Sequence, residues 1–212
     1  MEQESTTEIA AARLRPEVRV VVLDLDGTLY AKRRMPLYML LGDLLEAPLL
    51  LKERRVRKAM RGQWFGSAEA YEKAFFDNMV KGRLCTVSFM RWWYATCYMP
   101  LMVEVVRKHY RPRPWVQSFV EDCRKMGVAL VVLSDYTFAR EKMQALGLDT
   151  SLFDWIVSAP ELGGLKPAKE LMRIVTGRMG VKPSQVVVVG DREDTDGAMA
   201  HAAGAEFWHI IN

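Results

Sequence analysis

Cysteine is scarce in this chain of 212 residues: there are three, at positions 85, 97 and 123, and no CxxC pair. Three thiols so spaced build neither a disulfide framework nor a zinc site. Histidine is as rare, and His109, His201 and His209 have no metal-ligand spacing. Long apolar runs are missing too. The two most apolar stretches, residues 36–51 and 92–103, fall short of the roughly 20 residues that a bilayer span needs, and the first carries Asp43 and Glu46. The opening residues 1–16 are acidic and polar where a secretory leader needs a basic end and an apolar run. Strong charge of one sign is also absent: the formal net charge is +4, too mild to demand a nucleic-acid partner. The expectation is a cytoplasmic chain with no membrane and no nucleic-acid partner, opening with a mobile tail over residues 1–15.

What is present is an ordinary globular balance, 50% hydrophobic and 26% charged. Residues 18–23 form a β-branched apolar run that stops at Asp24-Leu-Asp-Gly-Thr28. From Trp115 onward, amphipathic stretches end at Gly127, Gly147, Gly180 and Gly204, and apolar runs follow at 128–133, 154–157, 186–189 and 206–210. Glycine commonly stands just past a helix end. Strands apolar on both faces that alternate with helices predict a parallel sheet covered on either side. The fold class expected is α/β, a Rossmann-like doubly wound sheet of about five strands. Residues 31–114 break this pattern with Met, Leu, Trp and Tyr but few β-branched runs, which predicts an all-helical insertion after the first strand. The core is then residues 16–30 and 115–212. The insertion holds 17 of the 30 Lys and Arg but 7 of the 26 Asp and Glu, so it is basic at net +10 and the rest acidic at −6.

Ligands of open parallel sheets bind outside the carboxyl ends of the strands. Those ends carry Asp24 and Asp26, then Ser134 and Asp135, then Asp191 with Glu193, Asp194 and Asp196 close behind, and Lys166 lies in the loop after the third strand. So many carboxylates in one pocket need a cation, and oxygen donors of this kind suit Mg²⁺. Glu193 and Asp194 read more simply as helix-start acids, the run 52–58 as a solvated helix face, and Trp92, Trp93, Tyr94 and Tyr98 as helical core.

In four ordered motifs the sequence resembles the haloacid dehalogenase superfamily of phosphohydrolases: Asp24-Leu-Asp-Gly-Thr28, Ser134 closing an apolar strand, Lys166 in Gly163-Gly-Leu-Lys-Pro167, and Gly190-Asp-Arg-Glu-Asp-Thr-Asp196. The likeness covers about 120 residues of core, and it implies that residues 31–114 are the helical cap many members carry there. It implies a Mg²⁺-dependent phosphatase acting on a small anionic phosphorylated substrate. Asp24 would be the nucleophile, Asp26 the general acid and base, and Ser134 and Lys166 the holders of the phosphoryl oxygens. Asp24, the carbonyl of Asp26, and Asp191 would bind the metal, with Asp196 orienting its waters or Lys166; whether Asp194 or Asp196 stands nearer is open. Asp135, Ala168 and Arg192 depart from the residues frequent at those places. A β-phosphoglucomutase-like phosphomutase, or a non-catalytic protein that keeps the fold, are the alternatives, and the oligomeric state is open. Lys32-Arg-Arg34, a few residues past the nucleophile, is expected to form a basic flap at the cleft mouth.

Overall fold

A computed structural model describes residues 9–211. Five strands form one sheet in the order β3-β2-β1-β4-β5: β1 Val20–Leu23, β2 Ala129–Ser134, β3 Trp155–Ser158, β4 Val186–Gly190 and β5 Glu206–His209. Every pairing is parallel. Valine runs make this sheet because branched side chains fit a pleated surface buried on both sides. Alternation then divides them. Val21, Leu23, Leu130, Val132, Val187 and Val189 pack on one face with Phe119, Cys123 and Met143, while Val20, Val22, Val131, Leu133, Val186 and Val188 pack on the other with Leu171, Val175 and Met199. Helices α6 Trp115–Lys125 and α7 Ala139–Ala145 therefore cover the first face, and α8 Lys169–Met179 and α9 Ala198–Ala203 the second.

Between β1 and β2 the chain forms α1 Met35–Gly42, α2 Ala47–Met60, α3 Ala68–Val80, α4 Val87–Trp93, a π-helical turn Tyr94–Tyr98 and α5 Met99–His109, with no named strand among them. Local chemistry sets their starts. Pro36, Pro48 and Pro100 stand in the first turns of α1, α2 and α5, and Ser67 and Thr86 accept main-chain N–H bonds at the starts of α3 and α4. Trp93 and Tyr98 are buried as expected, whereas Trp92 is 55% exposed. The expected solvated face over 52–58 is corrected in part: Arg54, Arg55 and Lys58 face solvent, but Glu53 and Arg57 are buried.

Of the tail expected over 1–15, residues 1–8 lie outside the described residues. Ile9, Ala11 and Leu14 are buried in the first-face core, so these apolar residues anchor the remainder, with the turn Ala11–Arg13 beside α6.

Candidate active site

The chain runs outward along β1, β2 and β3 and then returns to place β4 beside β1. Loops therefore diverge at the carboxyl end of β1 and leave a crevice there. Asp24 is the first residue past β1, and its N–H is anchored on the Val189 carbonyl of β4 at 2.9 Å. Its carboxylate accepts from Thr28 Oγ1 at 2.9 Å on one oxygen and from Lys166 Nζ at 2.6 Å on the other. Lys166 also donates to Asp196 Oδ1 at 2.6 Å and to the Leu133 carbonyl at 3.1 Å. Burial opposes its charge, yet Asp196 and Asp24 hold the ammonium pKa well above the ordinary lysine value. Burial pushes Asp196 up to about 7, Lys166 opposing and Asp24 adding to the rise.

Two residues on, Asp26 has both carboxylate oxygens engaged. Tyr30 donates to Oδ1 at 2.5 Å; Ser134 Oγ at 3.0 Å and the Lys142 ammonium both donate to Oδ2. Burial alone would raise the pKa of Asp26, but the charge and hydrogen bond of Lys142, followed by Tyr30, outweigh it and hold the carboxyl below its usual range.

Gly27 makes this turn possible. Its φ is +114°, and a side chain there would run into Asp191.

Asp24, Asp191 and Asp196 each offer a carboxylate oxygen, all within 4.8 Å of one another. The Asp26 carbonyl and Asp191 converge as well, since both accept from Lys32 Nζ, at 2.5 Å and at 3.0 to 3.3 Å. These hard oxygens, gathered around positive charge, fit a divalent cation. Asp194 lies outside the cluster, paired with Arg192 and with Arg61 at 2.8 Å, and Glu193 pairs with His201.

The three departures find places outside this centre. Asp135 Oδ1 accepts the Lys166 N–H at 3.0 Å and so ties that loop to β2, Ala168 is buried at the start of α8, and Arg192 holds Asp194. Sequence reasoning missed Lys142 and Tyr30. Lys142 had one signal: it falls on the buried stripe of α7 with Ala139 and Met143, continued by Leu146, where an apolar residue is due. Of the basic flap, Lys32 lines the cleft with Met35 and Leu37, while Arg33 and Arg34 between them are exposed, and Arg34 turns the chain in the left-handed region before α1.

A family model for haloacid dehalogenase-like hydrolases matches residues 18–204. The chain belongs to that family. Within it, similar curated proteins include a phosphoserine phosphatase of Thermus thermophilus, 31% identical over 100 residues (46% of this chain, 40% of the relative), and a glyceraldehyde 3-phosphate phosphatase of Methanocaldococcus jannaschii, 34% identical over 88 residues (41% and 38%). The matches thus span about two-fifths of those relatives. Among solved structures, the CbbY protein of Rhodobacter sphaeroides in complex with phosphate is similar at a TM-score of 0.60 and 16% identity, covering 90% of this chain and 84% of that one. A 2-haloacid dehalogenase of Pseudomonas syringae is also similar, with a TM-score of 0.60 and 19% identity over 90% and 85% of the two chains. Both likenesses concern the haloacid dehalogenase fold. Among the described residues no helix is long and apolar enough to cross a membrane.

Proposed function

We propose that this chain is a Mg²⁺-dependent phosphatase that hydrolyses a small phosphomonoester through an aspartyl phosphate on Asp24, with residues 31–114 as the cap over the site. The observation that carries the reading is the pair of aspartates two residues apart, one gripped by Lys166 and Thr28, the other by Ser134, Tyr30 and Lys142. The phosphatase names among the curated relatives support the same class of substrate.

In the first step an Asp24 oxygen forms a bond to phosphorus, the ester P–O bond breaks, and the departing oxygen takes a proton from Asp26. In the second, Asp26 accepts a proton from water as that water attacks phosphorus and the Asp24–phosphorus bond breaks. Lys142 keeps Asp26 ionised in the resting site, the form the second step needs. A phosphate dianion arriving beside it opposes Lys142 and favours the proton that the first step needs. Lys166 and Ser134 hold phosphoryl oxygens. Asp24, Asp191 and the Asp26 carbonyl would hold Mg²⁺, with Asp196 beside them, and the ion would supply compensation of phosphoryl charge.

Release of phosphate from a generic aryl phosphate tests the reading. Wild type is expected to turn over only with Mg²⁺, and Asp24→Asn to lose turnover while its circular dichroism and melting stay those of a folded protein, since the amide has nearly the same shape and is a poor nucleophile. Phosphate release by Asp24→Asn at the wild-type rate would refute the mechanism.

A further inference from the structure

Helix α1 carries no charged residue along Met35–Gly42. Its Met39 is buried, yet Leu37 is 46% exposed and Leu40 36%, and Leu51 at the start of α2 is 55% exposed. A helix apolar all round belongs in a core, and contiguous apolar area left in water marks a surface that something covers.

These leucines share one space. With Met35, Met39 and Leu50 they wall a cleft of about 860 Å³, and the same cleft reaches Asp24, Lys166 and Asp196. That volume lies within the roughly 300–1,000 Å³ of small-molecule sites. Arg54, Arg55, Lys58 and Arg61, all exposed, line it too. A ligand complementary to the whole space has an anionic head for the aspartate and lysine end and a hydrocarbon body for the leucines.

We propose that the substrate is the phosphomonoester of an apolar alcohol, whose hydrocarbon lies along Leu37, Leu40 and Leu51 while its phosphoryl group meets Asp24. This rests on the phosphatase reading and adds the class of leaving group to it. Continuity of the apolar wall with the nucleophile selects the substrate as occupant, because a partner protein seated on the leucines would not fill the space that leads down to Asp24. The ester P–O bond breaks, the alcohol leaves with the proton from Asp26, and the hydrocarbon is unchanged.

The test is kcat/KM for butyl, hexyl, octyl and decyl phosphate below their micellar concentrations. Wild type is expected to gain roughly two- to fourfold per added methylene until the wall is filled, from the transfer of each CH₂ out of water. The Leu40→Gln/Leu51→Gln double variant, nearly matched in volume and altered at positions that already face water, is expected to flatten that slope. Equal values for butyl and decyl phosphate, or an undiminished slope in the double variant, would overturn the proposal. Calorimetry with butyl- and decylphosphonate, which have no ester bond to break, separates this from failure of the phosphatase reading. Chain-length-dependent binding without turnover of any ester retracts hydrolysis and upholds the apolar wall as a ligand site. Turnover that ignores chain length retracts the inference alone.

Discussion

Lys142 has no exposed surface, and a buried ammonium is tolerated only where acceptors compensate for the water it has lost. Asp26 does so, with Ser134 Oγ at 3.5 Å and the Tyr136 ring beneath it. Lys142→Met is expected to lower kcat on the order of 10²-fold, because Asp26 loses the partner that fixes its direction and charge, within the range of acid and base assistance. KM should change less, and Lys142→Arg should restore little, since a planar fork does not fit a seat made for a compact ammonium. Steady-state kinetics of the three proteins decide it; a rise in KM with kcat unchanged would count against a positioning role. Cys123 is a buried group of another kind, a thiol packed among the apolar residues of the first face. Burial pushes its thiol up to about 12. A folded pKa above the unfolded value of about 8.5 means that the unfolded chain loses the proton first, so this contribution to stability is complete below about pH 8.5 and is lost as pH rises toward 12. The melting temperature of wild type should therefore fall more steeply over that alkaline range than that of Cys123→Ala, and iodoacetamide should label Cys85 and Cys97 well before Cys123. Asp24, Asp26, Ser134, Lys166, Asp191 and Asp196 were legible because each closes a strand or sits in the loop or turn after one. Lys142 was not, because in the sequence it stands beside Arg140 and Glu141 and carries no motif.

Helix α2 shows how one element can carry charge on both its buried and its exposed face. Glu53 and Arg57 form an i, i+4 ion pair at 2.6 Å on the stripe shared by Leu50, Val56 and Met60. Tyr98 donates to Glu53 at 2.9 Å; Arg57 donates to Tyr94 at 3.0 Å and, at 2.7 Å, to the Asp135 carbonyl just beyond β2. Burial would lower the pKa of Arg57, yet Glu53 leads the groups that hold it well above the ordinary value. This guanidinium fastens the helical segment to the sheet edge one residue from Ser134. Arg57→Ala should cost about 3–5 kcal/mol, since Glu53 is left buried without its counter-charge, lowering the melting temperature by roughly 6–20 °C at about 2–4 °C per kcal/mol. A Glu53→Gln/Arg57→Met double variant should recover part of the loss in calorimetry. Recovery would be missing if the ion pair were incidental. Composition alone gave five cations in seven residues and so a wetted surface; only the helical period, counted from the flanking apolar residues, separates Arg57 from Arg54, Arg55 and Lys58.

Over the whole molecule, strand existence, order of elements and the helical character of residues 35–109 were legible because valine runs and glycine stops repeat at regular intervals. The packing of Ile9, Ala11 and Leu14 was not, since isolated apolar residues in a polar stretch have no period to read. The opposition of a basic helical segment and an acidic sheet edge has an experimental consequence. An ion that binds the folded carboxylates and not the unfolded chain stabilises by mass action, by about 2.7 kcal/mol at a hundred times its Kd. Mg²⁺ at saturating concentration is thus expected to raise the melting temperature, and chelation to reverse it. Asp191→Asn should abolish the shift; a shift of equal size in that variant would place the ion elsewhere.

The position of β1 in the middle of the sheet bears on how the chain is made. Its two neighbours are Ala129–Ser134 and Val186–Gly190, so Val20–Leu23 emerges before both and acquires its second partner more than 160 residues later. At about 5–20 residues per second, synthesis leaves that wholly apolar strand without its full pairing for roughly 8–30 s. The segment that ends at Asp24 is therefore incompletely paired while the chain is being made, and the helices between residues 35 and 109 are complete before either of its neighbouring strands.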